Sequence, residues 1–514
     1  MSTPGVSTTE RVPTAWLPAI DGRAFVAVVA VLGLALVLAG RVSTVAFGAV
    51  LVAVLLAVAF AARRWPLPTL VAAAVTTLAD LQLTQRILPE GFDPGPIGLA
   101  EPMLLVAGTV IALDAIRRRT FAAAMRDPVL PLAGLFVALA IVSAVVNAVP
   151  PQVALLGIVM TVDAIAIYFT VRMVQLEDRA AAFAIGGVVA VVVGVALFGI
   201  AQVLLAPNLL GFFTRAGQFG EGDRISSIIG SPNMLAAVIG IAAPFVLYGT
   251  RHLPDRRWRW VARVALLVLM LALLLTFSRG AWLSVAIGCL AGTLLVDWRS
   301  LPILVVTIAL AWGAATVMPR GLLVAEPEGG GGNGNGGSGG PAIVDSTGDR
   351  FGSLLDRNDT RGRYLRDGLR VIEDNLLLGV GPGRYGGGAA TIDPENPSPV
   401  YEEYDVELFG YRTVHNFWLH LFGESGVLGT AVFLTMIVGL LIRLVRGARD
   451  SAGLRFVVLA GAATMLMVVS LHSVTEMIFE GNMPVLIVWL LLGIASVLAP
   501  ARPIFGRRPW PAAV

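Results

Sequence analysis

AAFAIGGVVAVVVGVALFGIAQVLLA, residues 181–206, runs for 26 positions without one charged side chain. That exceeds the roughly 18 apolar residues a helix needs to cross the hydrocarbon of a bilayer. Working outward, comparable runs lie near 24–40, 43–62, 66–82, 99–116, 128–148, 153–173, 232–249, 260–277, 280–296, 301–317, 426–442, 456–472 and 481–499, for fourteen predicted spans in all. Over the 514 residues, 56% are hydrophobic and only 14% charged, against about a quarter charged in an ordinary soluble domain. The predicted fold class is an all-α polytopic membrane protein of about 12–14 transmembrane helices, its apolar mass divided among spans rather than gathered in one core.

All 37 basic residues are arginine, and most of them gather where connections meet the membrane. Alternate connections carry them: Arg63 and Arg64; Arg117, Arg118 and Arg119; Arg172 and Arg179; Arg251, Arg256, Arg257 and Arg259; Arg299; Arg443, Arg446 and Arg449. Cytoplasmic connections are the arginine-rich ones, so the pattern sets both termini in the cytoplasm, with Arg41 and Arg86 as exceptions. The organisation that follows is a cytoplasmic tail (1–23), a bundle of eleven spans (24–317) and one large extracytoplasmic loop (318–413). A re-entering helix with the last three spans (414–499) and a second cytoplasmic tail (500–514) complete it. The 207–231 connection and the 278–280 turn fall on the same face as the loop. Arginine here reads as topology, not as a nucleic-acid footprint, and the first apolar run lacks a following small-residue cleavage site, so it reads as a retained span.

Within the loop, the Gly/Asn/Ser tract 329–340 buries too little apolar surface to offset its ordering entropy and reads as a flexible spacer. Asp359 or Thr360 then caps a helix over about 360–375. Its expected apolar face is Leu365, Leu369 and Ile372, with Arg361, Arg363 and Arg366 polar. The single cysteine, Cys289, lies in an apolar run and can build neither a disulfide framework nor a cysteine metal site.

The loop re-enters the membrane at Val414-His415-Asn416-Phe417-Trp418-Leu419-His420-Leu421-Phe422-Gly423-Glu424-Ser425-Gly426-Val427-Leu428-Gly429. Upstream lies Asn375-Leu-Leu-Leu-Gly379-Val-Gly381-Pro-Gly383, which resembles a nucleotide loop only superficially, since no strand precedes it and no Lys-Ser/Thr follows. Earlier, Arg224-Ile-Ser-Ser-Ile-Ile-Gly-Ser-Pro232-Asn233 enters one span and Ser278-Arg279-Gly280 joins two others. In combination these elements resemble the signature of the O-antigen ligase family over roughly residues 200 to 440; the first five spans match only as generic hydropathy.

The resemblance implies a helical bundle of the class C glycosyltransferase kind in the bacterial inner (plasma) membrane. It implies transfer of a glycan from undecaprenyl diphosphate to a hydroxyl of a lipid, glycan or protein acceptor at the extracytoplasmic face, in cell-surface polysaccharide biosynthesis. A polymerase of the same superfamily, joining lipid-linked repeat units, stays open beside a ligase. A transporter or flippase would show two similar halves or paired Gly/Pro-interrupted helices, and the sequence has neither.

Such a transfer needs an attacking hydroxyl made more nucleophilic and a departing diphosphate whose growing charge is stabilised. His415, as a neutral imidazole, can take the hydroxyl proton. Arg224 and Arg279 offer rigid guanidinium forks that match phosphate oxygens. Arg361, Asn416 and Glu424 are further substrate-binding candidates. The plainer readings are a helix-capping interfacial histidine, arginines that snorkel to headgroups, a solvated Glu424, and Gly426 and Gly429 as close-packing residues. His420, about 500° further round a helix, points away from His415 and reads as interfacial packing; the mid-span Asp163 is costly unless partnered. With no His/Cys cluster or Asp-x-Asp pair at ligand spacing, neither a metal nor another cofactor is expected, and the arginines stand in for a divalent ion. The deciding expectation is geometric: His415, Arg224 and Arg279 converge at one face.

Overall fold

The computed structural model describes residues 44–87, 98, 100–205, 224–316, 360–385, 400, 414–480 and 484–499. The chain divides into two compact units, residues 1–57 with 85–93 and residues 58–84 with 94–514. In the first, the described residues are helical and are the start of the helix Thr44–Arg64 and the end of the helix Pro66–Ile87; the second holds every side-chain contact discussed below. The predicted span 24–40, both terminal tails and the spacer 329–340 lie outside the described residues.

Helices α1 (Thr44–Arg64), α2 (Pro66–Ile87), α3 (Ala100–Arg117) and the single turn α4 (Phe121–Ala124) precede α5 (Val129–Val146), α6 (Pro151–Arg172) and α7 (Asp178–Leu205). They are followed by α8 (Pro232–His252), α9 (Arg256–Leu275), α10 (Arg279–Val296) and α11 (Leu301–Thr316). Past α12 (Thr360–Asp374) come α13 (Phe417–Arg449), α14 (Gly453–His472) and α15 (Pro484–Leu498). Among the described residues there is no strand, and ten helices are long and apolar enough to cross a membrane. The protein is therefore an all-α polytopic membrane protein. Of the other predicted spans, α15 has only 15 residues, the apolar part of α2 is short, and α3 carries Glu101, Asp114 and Arg117. At the centre, α14 packs on α8, α10 and α13.

One set of helix ends is locked by arginine. Arg443, near the end of α13, places Nη1 2.6 Å from the buried Asp127 carboxylate, and Arg172 at the end of α6 lies 3.0 Å from the same group. Arg443 also donates to the Ser496 carbonyl of α15 (2.8 Å), Arg449 to Leu295 of α10 (2.7 Å), and Arg455 to Leu498. The last carbonyls of these helices, which have no partner within the helix, thus receive donors, and the cations sit where the helix dipoles are negative. Arg251 and His252, ending α8, meet Asp297 at 3.1 and 2.9 Å. Burial works against ionising Asp297, but hydrogen bonds from His252 and Ser300 and the Arg251 charge outweigh it and hold this carboxyl below its usual range.

The opposite ends are organised by a break. Gly426, at φ 62° and ψ −168°, divides α13 into a half-helix 417–425 and a longer half 427–449; the span predicted at 426–442 is part of the longer half. A break strands carbonyls on one side and amides on the other, each costing several kcal/mol if left unpaired in hydrocarbon. Residues 376–381 satisfy both sides. Val380 N donates to the Gly423 carbonyl (2.8 Å) and Gly381 N to that of Glu424 (3.1 Å), while the Leu376 and Leu377 carbonyls accept from Val427 N (2.8 Å) and Leu428 N (3.3 Å). The next two carbonyls, Leu378 and Gly379, accept from Ser143 Oγ (2.7 Å) and Asn147 Nδ2 (2.9 Å) at the end of α5.

Thr360 is the first residue of α12, and Asp359 is outside the described residues. The expected apolar face is corrected in part: Ile372 packs on the core, but Leu365 and Leu369 are 48% and 46% exposed, whereas Val371 is fully buried. The helix is turned so that Gly368 lies against Leu419 and Tyr385, a contact in which a Cβ would come within 2.6 Å of both side chains.

A Cβ on Gly426 would lie 2.4 Å from the carbonyl carbon of Leu377, at a backbone conformation that L side chains rarely adopt. Gly426→Ala is therefore expected to cost about 1–3 kcal/mol or more, seen as a lower melting temperature of the purified protein. Gly186→Ala on α7, where a Cβ meets nothing within 4 Å, should change it little; equal melting of both variants would mean that the Leu377 backbone yields freely.

Candidate active site

Four connections meet at the ends of α8, α10, α13 and α14. Ile225 N donates to the Leu275 carbonyl (3.2 Å), joining the segment before α8 to the α9–α10 turn, and Phe417 N donates to Ser473 (2.8 Å), joining the start of α13 to the end of α14. Gly280 seats against Thr475, whose Oγ1 would be 2.3 Å from a Cβ there. Ser231 caps α8 by accepting from Met234 N. Asn416 caps α13 in the same way, its Oδ1 accepting from Leu419 N at 3.0 Å, so this candidate substrate contact uses its side-chain oxygen to start a helix.

A chain of polar contacts runs through this junction. Arg224 Nε donates to the Thr276 carbonyl at 2.7 Å, and its Nη2 to Asn233 Oδ1 at 2.6 Å. Asn233 Nδ2 donates to Glu476 Oε1 at 2.7 Å. Glu476 Oε2 lies 3.6 Å from His415 Nδ1, with the carboxylate side chain 5% exposed and the imidazole 44%. His415 therefore turns Nδ1 inward and is part-exposed. Arg279 is half-buried at the first position of α10, beside the Gly280–Thr475 contact. The structure thus gathers the segments bearing Arg224, Arg279 and His415 at one end of the bundle.

Backbone strain gathers there too. Among the described residues, five non-glycine positions have positive φ, and three are Ser227 (54°), Phe277 (51°) and His415 (47°), one in each of these segments. Conformations of this kind cost of order 1–3 kcal/mol each and persist where surrounding contacts over-determine them.

A second cluster lies deeper. His420 is 2% exposed; its Nε2 meets Glu480 and lies 3.8 Å from Glu424 Oε2, and its Nδ1 meets the Tyr385 carbonyl. Tyr385 N donates to Glu424 Oε1 at 2.8 Å. Glu424 is thus buried and engaged, not solvated. His420 does turn away from His415, but it packs among carboxylates rather than at an interface. Beside it is a cavity of about 10 Å³ lined in part by Thr161, His420, Glu424 and Ser425, on the scale of one water. Asp163 is half-buried on α6, and the Arg361 side chain lies outside the described residues. Gly429 is buried against Ser425, consistent with close packing, whereas Gly426 is the break itself.

The sequence marks Glu476 and Glu480 only as an acidic connection on the face of the large loop, and Asn233 only as part of a motif. The available signal was two glutamates four residues apart in a short turn after an apolar span. Among the described residues, no group of three or more His, Cys, Asp or Glu side chains is arranged to hold a metal ion.

No curated protein matches the chain. A family model described as O-antigen ligase matches residues 264–434. That third of the chain runs from within α9 to within α13 and contains Arg279, α12, the glycine segment that caps the break, and His415. Arg224, Asn233 and Glu476, which complete the polar chain, lie on either side of it. Over residues 264–434, a third of its length, this chain is similar to the O-antigen ligase family.

Proposed function

We propose that the protein transfers a glycan from a polyprenyl diphosphate, undecaprenyl diphosphate in the bacterial case, to an acceptor hydroxyl at the extracytoplasmic face of the inner membrane. The observation that carries this reading is the unbroken line of contacts from the Arg224 guanidinium through Asn233 and Glu476 to His415. It sets a cation and a candidate base at one end of a membrane bundle, where a lipid headgroup and a sugar can meet.

The chemistry follows from the groups. The acceptor oxygen attacks the anomeric carbon, its proton passes to Nε2 of His415, and the bond from the anomeric carbon to the diphosphate oxygen breaks. Polyprenyl diphosphate departs with the bonding electrons. Arg224 and Arg279 hold its oxygens and offset the charge that grows on them, a task suited to a planar fork of fixed charge. No metal ion is required for that step. Arg361, at the start of α12, is a further contact for acceptor or phosphate, while Asn416 and Glu424 act by shaping the half-helix that carries the site. Arg224 is anchored by its Nε and one Nη2 contact, which fixes the direction of the fork.

The test is product analysis with purified protein, a labelled polyprenyl-diphosphate glycan and candidate acceptors. Transfer to a distinct acceptor marks a ligase and lengthening of the lipid-linked glycan a polymerase; absence of released polyprenyl diphosphate under all acceptors would sink both. His415→Ala should lower turnover by about 10²–10⁴-fold while leaving membrane insertion intact. Arg279→Lys should lower it about tenfold or more, because a point ammonium cannot reproduce two charge-assisted hydrogen bonds; wild-type turnover in that variant would return Arg279 to contact with headgroups.

A further inference from the structure

We infer that Glu476 is the positioning residue for His415, and that Asn233 ties this pair to Arg224, so that the base and the phosphate-holding cation are oriented as one unit. The inference rests on the catalytic reading of His415 above and adds to it the residues that set its tautomer.

Glu476 is 4% exposed, in the turn that follows α14, where its own N–H donates to the His472 carbonyl at 3.0 Å. One carboxylate oxygen is fixed by Asn233 at 2.7 Å and the other faces His415 Nδ1. A carboxylate only accepts, so the favoured imidazole carries its proton on Nδ1 and keeps Nε2 as the basic nitrogen. The 3.6 Å separation is longer than a hydrogen bond, and contacts of this kind tighten when substrate closes a site. As His415 gains the acceptor proton, the same carboxylate balances the new positive charge.

Asn233 has a single allowed orientation. Arg224 can only donate and Glu476 can only accept, so the amide oxygen must face the guanidinium and the amide nitrogen the carboxylate. Aspartate at this position would set two carboxylates side by side, and an apolar residue would release both neighbours. The left-handed backbone of His415 (φ 47°) needs such over-determination, since nothing in a free chain favours it.

The experiment uses the full-length protein in membrane vesicles from cells expressing it, supplied with a labelled polyprenyl-diphosphate glycan, with released polyprenyl diphosphate as the readout. Glu476→Gln keeps the shape but turns an amide N–H toward Nδ1, forcing the imidazole proton onto Nε2. We expect kcat to fall about 10²-fold or more, with KM for the glycan donor within about twofold. A wild-type kcat, or a loss confined to KM, overturns the inference. Independently of that variant's folding, ¹⁵N spectra of histidine-labelled wild-type protein provide a second reading: the His415 resonance, assigned by its disappearance in His415→Ala, should report the Nδ1–H tautomer, and an Nε2–H tautomer overturns the inference. His415→Ala separates the two claims. If it turns over like wild type, the catalytic reading itself fails; if it is inactive while Glu476→Gln is not, only the positioning role falls.

Discussion

The structure depends on how a helix can be broken within a membrane bundle without leaving its backbone unpaired. At Gly426 the carbonyls of Gly423 and Glu424 lose their helical partners on one side, and the amides of Val427 and Leu428 lose theirs on the other. In water such groups would be hydrated; in hydrocarbon they must find protein. The six residues 376–381 supply two donors and two acceptors in the right order, and α5 satisfies the carbonyls that remain. This exchange fixes the half-helix 417–425, and with it the turn that carries His415 and Asn416.

The same two helices are held at their other ends by charge. Asp127, just before α5, is paired with Arg443 of α13, and Arg172 of α6 shares the carboxylate. Burying an ion pair is weak as a source of stability but severe when half of it is removed, so such a cluster discriminates strongly between one packing and its alternatives. With α5 and α13 tied at both ends, the site residues are carried on a rigid frame. Strained backbone at Ser227, Phe277 and His415 is tolerable on such a frame.

The spans were legible because bilayer thickness imposes a length on every apolar run, and residues 181–206 could be read alone. That the segments bearing His415, Arg224 and Arg279 belong together was legible through the motifs around them. The break was not, because a glycine in Gly426-x-x-Gly429 reads equally as a packing residue; its positive φ is imposed by residues 376–378, about fifty positions earlier. Glu476 and Asn233 are separated by 243 positions, and no local pattern joins them. The turn of α12 escaped for the same reason, since periodicity marks Leu365 and Leu369 as the buried face while the contact of Gly368 with Leu419 and Tyr385 decides otherwise.

The double cap on the break also limits where this polypeptide can change in length. Inserting or deleting a residue between Asn375 and Gly383 would shift every donor and acceptor out of step with the severed helix, whereas added or lost residues before α12 or between Tyr385 and Val414 leave that register intact. Divergence in loop size among relatives should therefore collect on either flank of a short stretch of constant length.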